Sequence, residues 1–171
     1  SFNLDKIDKD KNFVLPISIV STSEYRIGEP KYSTILMNVV LSNAYTGTYS
    51  LSGTIREVAT GDFIDVRMTR TLRVVDPSTV SLYAGSERVS NRENYRMNMT
   101  VNADSTLTFT PLHPDIIEIN RDEPNLDPKN PRNKILVERT VDVQNSHKSY
   151  IVTTFYMYYN YIDKTDPADP V

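Results

Sequence analysis

The sequence predicts an all-β, antiparallel fold on three observations. Apolar residues recur every second position in four separate segments, which puts one face of each in a core and the other in water. Clusters of Gly, Pro, Asn, Asp and Ser fall between those segments, where tight connections need them. No segment shows a convincing helical stripe; residues 115–119 are the one place where a short turn of helix fits.

The elements follow in chain order. Strands are expected over 13–20 and 33–41, separated by Gly28-Glu29-Pro30. Tyr49, Leu51, Gly53 and Ile55 alternate with Thr48, Ser50, Ser52 and Thr54. After Thr60-Gly61-Asp62, the longest strand spans 63–75, with Ile64, Val66, Met68, Leu72 and Val74 on one face; only Arg70 interrupts that apolar row. Asp76-Pro77-Ser78 turns the chain into a strand at 80–84. Tyr95, Met97, Met99 and Val101 form another alternating set, and 102–105 turns into a strand at 106–110. A short one follows at 116–119. Ile135, Val137, Val141 and Val143 alternate with Leu136, Glu138, Thr140 and Asp142. Past a turn at 145–147, the last strand covers 150–162. About ten strands with mostly short connections predict a meander that closes into an up-and-down barrel or folds into a β-sandwich. Gly47 and Gly53, at either end of one strand, suit the bends that barrel closure requires.

Two segments leave this rhythm. Residues 120–133, NRDEPNLDPKNPRN, read as a long polar surface loop, and 163–171, DKTDPADPV, as a polar tail.

Composition narrows the function classes. A chain of 171 residues buries about two-thirds of its unfolded surface and needs no metal or disulfide to hold it. The absence of cysteine removes disulfides, thiolate metal sites and cysteine nucleophiles together. A net charge of −3, with Lys and Arg dispersed among Asp and Glu, offers no basic stripe for phosphates and argues against nucleic-acid binding. No apolar run reaches the length of a membrane-spanning helix.

Catalytic patterns are missing as well. The two histidines, His113 and His147, are expected in loops and lack HExxH spacing, and no G-x-S-x-G marks a nucleophile elbow. Asp122, Glu123 and Asp127 in the long loop could converge on calcium, but the alternate oxygens and closing Glu of an EF-hand are absent. The expectation is therefore a protein that is not an enzyme and holds no cofactor or metal.

The tyrosines are the one positive signal, eleven against five phenylalanines. Within 154–161, TFYMYYNY, strand geometry places Phe155, Met157, Tyr159 and Tyr161 on one face and Tyr156 and Tyr158 on the other. If the first face is core, Tyr156 and Tyr158 turn outward, where phenol rings stack on sugars or seat a protein partner. A strand buried on both faces accounts for the same pattern. Tyr156 and Tyr158, with Asp122 and Asp127, are the candidate contact residues.

The stretch 43–53, NAYTGTYSLSG, together with the upstream strand 13–21, FVLPISIVS, and the Tyr/Phe-rich strand 150–162, resembles a family of exported Bacteroidetes lipoproteins of unknown function, often encoded beside SusC/SusD-like nutrient-uptake pairs. The resemblance implies that residues 1–41 are the closing strands of an N-terminal β-sandwich domain, or else the first strands of a single domain. It implies that 42–163 form a lipocalin-like (calycin-like) barrel, with 164–171 as a tail. It further implies an accessory module of a SusC/SusD-like outer-membrane complex for glycan or peptide, held at the cell surface by a lipid anchor outside this chain. Direct glycan binding, or a barrel around a small apolar ligand, are the alternatives. The family brings no catalytic residues to carry over.

Overall fold

A computed structural model describes residues 11, 13–27, 29, 33–56, 61–85, 90–120, 132–142, 144–145 and 147–165. Eleven strands are among them, in two compact units, 1–42 and 43–171.

The first unit contains one antiparallel hairpin, β1 (Phe13–Ser18) and β2 (Thr34–Val39), in the register Leu15↔Met37 and Ile17↔Ile35. Those four side chains share one face, and all four are exposed. Two strands alone are marginal in water, so this apolar face is built to be covered.

The second unit is organised around a five-stranded antiparallel sheet in sequence order: β3 (Gly47–Arg56), β4 (Phe63–Val74), β5 (Thr79–Tyr83), β6 (Arg96–Val101) and β7 (Leu107–Pro111). Two further ladders accompany it. β8 (Ile117–Asn120) pairs with β11 (Asn160–Asp163), and β9 (Lys134–Val141) pairs with β10 (Ser149–Tyr156). The period of two expected over 63–75 and 95–101 positions the core: Leu72, Val80, Leu82, Met97, Met99, Leu107, Phe109 and Ile117 form one buried cluster. Each fully buried aliphatic side chain contributes about 1.5–3 kcal/mol. Tyr159 and Tyr161, flanking the start of β11, pack against this cluster, with Tyr159 and Phe109 rings 5.1 Å apart and Tyr95 and Tyr161 at 6.1 Å.

Short connections are fixed by Asx-type bonds. The Asp76 carboxylate accepts from the Ser78 amide at 2.8 Å, and that of Asp104 from the Thr106 amide at 3.0 Å. Ser105 turns the chain there with φ of 65°.

The structure departs from the sequence reading at several points. The fold is all-β and antiparallel, but the described ladders form no closed barrel. β9 joins β7 only at the bridge Thr106↔Lys134, with Leu107 N–H donating to Asn133 and Ile135 N–H to Ser105. No ladder links β10 back to β3, so the arrangement is sandwich-like. The expected strand 150–162 is two strands, β10 and β11, interrupted at residues 157–159. Asp163, expected in the tail, belongs to β11, and the Lys164 amide donates to Ile116. A 3-10 turn at Arg92–Tyr95 precedes β6, and 115–119 begins as a turn and continues as β8. Arg70, the interruption in β4, does not turn outward. It is 5 % exposed, and its guanidinium donates to the Gly85 carbonyl.

Candidate functional site

The β9–β10 hairpin carries the sequence candidate Tyr156 at its end, and Tyr158 follows two residues later, outside the ladder. Its turn is closed by Asp142 N–H donating to the Lys148 carbonyl at 2.9 Å, while the Asp142 carboxylate accepts from the Gln144 amide at 2.8 Å. The register pairs Lys134↔Tyr156, Leu136↔Thr154, Glu138↔Val152 and Thr140↔Tyr150. Directly paired residues share a face, so Tyr150, Val152, Leu136 and Tyr156 line one side of the hairpin. The other side carries Ile135 and Phe155, which pack on the core. On the first side Tyr150, Val152 and Leu136 are exposed, and Tyr156 is half-buried.

Tyr158 lies between β10 and β11 and is 42 % exposed. Its amide donates to the Asn133 side-chain oxygen at 2.7 Å. The Arg132 guanidinium sits over its ring, 4.1 Å from the centroid. Such a stack is worth about 0.5–1 kcal/mol at an exposed site, and it holds both side chains flat without burying them. The last two residues of the 120–133 loop thus contact the interruption in the tyrosine-rich segment directly. Nothing in a period-two reading pairs Arg132 with Tyr158, because the contact spans two strands.

Asp122 and Asp127, like Glu123, lie outside the described residues. Among the described residues no group of three or more His, Asp or Glu could hold a metal ion. His113 is half-buried, and its carbonyl accepts from the Ile116 and Ile117 amides, each at 3.0 Å; His147 is exposed in the β9–β10 turn. The described residues include no helix long and apolar enough to cross a membrane.

A second aromatic group lies at the core's edge. The Tyr159 hydroxyl donates to the Ala84 carbonyl at 2.8 Å, and burial pushes its phenol up to about 12, against the opposing Arg70 charge. Burial raises Tyr161 as well, with the Asp163 charge adding to it. The Tyr95 hydroxyl donates to the Asp163 carboxylate, which raises the phenol and lowers the acid. These bonds fasten β11 to β5 and to the 3-10 turn. They are structural groups, packed on the core and bonded to backbone and to one another.

The all-β scaffold thus carries an exposed aromatic and aliphatic hairpin face, and exposed apolar patches of this kind mark interaction surfaces. Residues 33–170 match a family model described as "-like, C-terminal", and the chain belongs to that family. No curated protein matches the chain. The fold resembles several solved structures from Bacteroides. One is a multidomain protein including DUF1735 from Bacteroides ovatus, 22% identical, covering 99% of this chain and 56% of that one, with a TM-score of 0.61. Another, of unknown function from the same species, is 18% identical, covers 97% and 55%, and has a TM-score of 0.58. A third is an auxiliary nutrient binding protein from Bacteroides thetaiotaomicron, 18% identical, covering 82% and 47%, with a TM-score of 0.50. The chain therefore spans about half the length of these structures.

Proposed function

We propose that this chain is a non-enzymatic accessory module of a cell-surface nutrient-uptake system, and that it docks on a SusC/SusD-like outer-membrane pair through the outer face of the β9–β10 hairpin. The observation behind this reading is the exposed set Tyr150, Leu136 and Val152 on that face, with Tyr158 exposed just past the end of β10 and Arg132 stacked on it. Tyr and Arg are the residues enriched where a few side chains dominate an interface. The similarity to an auxiliary nutrient binding protein supports the setting. In the same reading the apolar face of β1–β2 is covered by a preceding β-sandwich domain, in keeping with solved structures about twice this chain's length.

The test is affinity capture of the tagged full-length protein from mildly solubilised outer membranes, beside its Tyr150→Ala/Tyr158→Ala variant. The expected result is a SusC/SusD-like pair recovered in near-equal amount with the wild type and lost with the variant, whose melting temperature is unchanged. Recovery of the protein alone, or of the pair equally with both forms, overturns the reading.

A further inference from the structure

Two ribbons extend beyond the core of the second unit. Among the described residues β5 meets β4 only at Arg73↔Ser81 and Val74↔Val80, and the rest of β4 pairs with β3 alone. Beyond the bridge at Lys134, β9 and β10 pair only with each other among the described residues. The roots of the ribbons touch: Tyr49 of β3 and Phe155 of β10 meet edge to face at 5.2 Å.

On each ribbon, the face that enters the core stays apolar as it leaves it. Leu51, Met68, Val66, Ile55 and Ile64 share the face of Tyr49 and Leu72; Val66 is buried, Leu51 and Met68 are half-buried, and Ile55 and Ile64 at the far end are 47% and 54% exposed. A Cβ added at Gly53, on that same face, would meet nothing within 4 Å. Val137, Val141 and Ile151 share the face of Ile135 and Phe155, and all three are exposed, Ile151 by 70%. The charged groups on these two faces are both cations: Arg70, buried at the root, and Arg139 further out. No Asp or Glu falls on either. Arg139 donates from Nε and Nη2 to the neutral Ser149 hydroxyl at 3.1 and 2.9 Å, which leaves the guanidinium charge without a carboxylate among the described residues.

We propose that these paired apolar faces bind a medium-chain free fatty acid, its carboxylate on Arg139 and its tail running to the root at Tyr49 and Phe155. The lengths agree. From Ile135 to Arg139 the strand advances about 14 Å, the reach of an extended acyl chain of about twelve carbons. The charges agree too. A protein partner brings a polar rim of both signs, whereas these faces offer apolar surface with one outward cation, the complement of a single carboxylate on a hydrocarbon chain. The site is on the opposite side of β9–β10 from the surface assigned to docking, and does not depend on that assignment.

The test titrates the purified chain with dodecanoate, dodecanol and hexanoate by calorimetry, each below its micellar concentration. Saturable one-to-one binding of dodecanoate is expected, with dodecanol weaker by about tenfold or more for want of the charge-assisted bond and hexanoate giving no measurable heat. Arg139→Gln should weaken dodecanoate by about tenfold and leave dodecanol unchanged, whereas Ile151→Asp should weaken both. Both residues are exposed, and circular dichroism verifies that the variants fold. Absence of saturable dodecanoate binding, or equal binding by Arg139→Gln, overturns the proposal. So does a wild-type dimer that Ile151→Asp dissociates, which would assign the faces to a second copy. Capture through Tyr158 should be untouched by either variant, so the two readings fail separately.

Discussion

The Tyr161 hydroxyl occupies the space that a side chain at position 85 would need: a Cβ built on Gly85 would stand 2.8 Å from that oxygen and 3.5 Å from the ring carbon bearing it. Gly85 is buried, and the carbonyls of residues 84 and 85 already accept from Tyr159 and Arg70. The last strand is thus seated against a position where any side chain would have to displace the Tyr161 hydroxyl.

Gly85→Ala should therefore destabilise the domain by about 1–3 kcal/mol through overpacking. Tyr161→Phe in the same chain should restore most of the loss, since the ring carbon is at ordinary contact distance. Urea denaturation of the two single variants and the double variant measures both terms, and simple additivity would contradict the steric account.

Asn43 joins two turns. Its side-chain oxygen accepts from the Tyr45 amide at 2.9 Å and the Thr46 hydroxyl at 2.8 Å, and its nitrogen donates to the carbonyls of Asp76 and Thr79 at 2.7 and 3.0 Å. Asn43→Ala removes the acceptor of the half-buried Tyr45 amide and Thr46 hydroxyl, while the Asp76 and Thr79 carbonyls keep backbone donors, and should cost about 1–3 kcal/mol. Thermal melts should show a larger fall for Asn43→Ala than for Thr48→Ala, whose side chain is exposed and reaches only the Thr71 hydroxyl at 3.5 Å.

Alkaline stability should reflect Tyr159. Its folded-state value, about 12, lies above the ordinary phenol value of about 10. The folded chain therefore holds this proton more tightly than the unfolded chain. The associated stability is complete below about pH 10 and is lost as the pH rises towards about 12, by roughly 2–3 kcal/mol. Tyr159→Phe removes the titrating group. Its stability, set lower at neutral pH by the lost bond to Ala84, should fall less steeply than that of the wild type between those limits in pH-resolved denaturation.

Much of the strand content was legible in the sequence because alternation is local. Met97, Met99 and Val101 read as one face and are one face, buried in the core. The same alternation over Phe155, Met157, Tyr159 and Tyr161 marked residues that all pack on the core. It did not show that the strand breaks between Tyr156 and Asn160, because that break is imposed by pairing: β10 follows β9 while β11 follows β8. Of the four candidate contact residues, Tyr156 and Tyr158 flank that break, and Asp122 and Asp127 lie outside the described residues.

The sequence by itself determined the antiparallel β class, the inner and outer faces of the long strands, and the lack of thiol chemistry, since each depends on residue type and a two-residue period. Only the tertiary structure decided how Arg70 is accommodated, where Arg132 meets Tyr158, and which apolar faces stay open. Those outcomes depend on contacts between residues far apart in the chain. Arg70 can be buried because the Gly85 carbonyl arrives to accept a hydrogen bond from its guanidinium. Val137 and Ile151 are exposed although their alternation matches that of Met97 and Met99, because alternation assigns residues to a face while packing from elsewhere in the chain decides whether that face is covered.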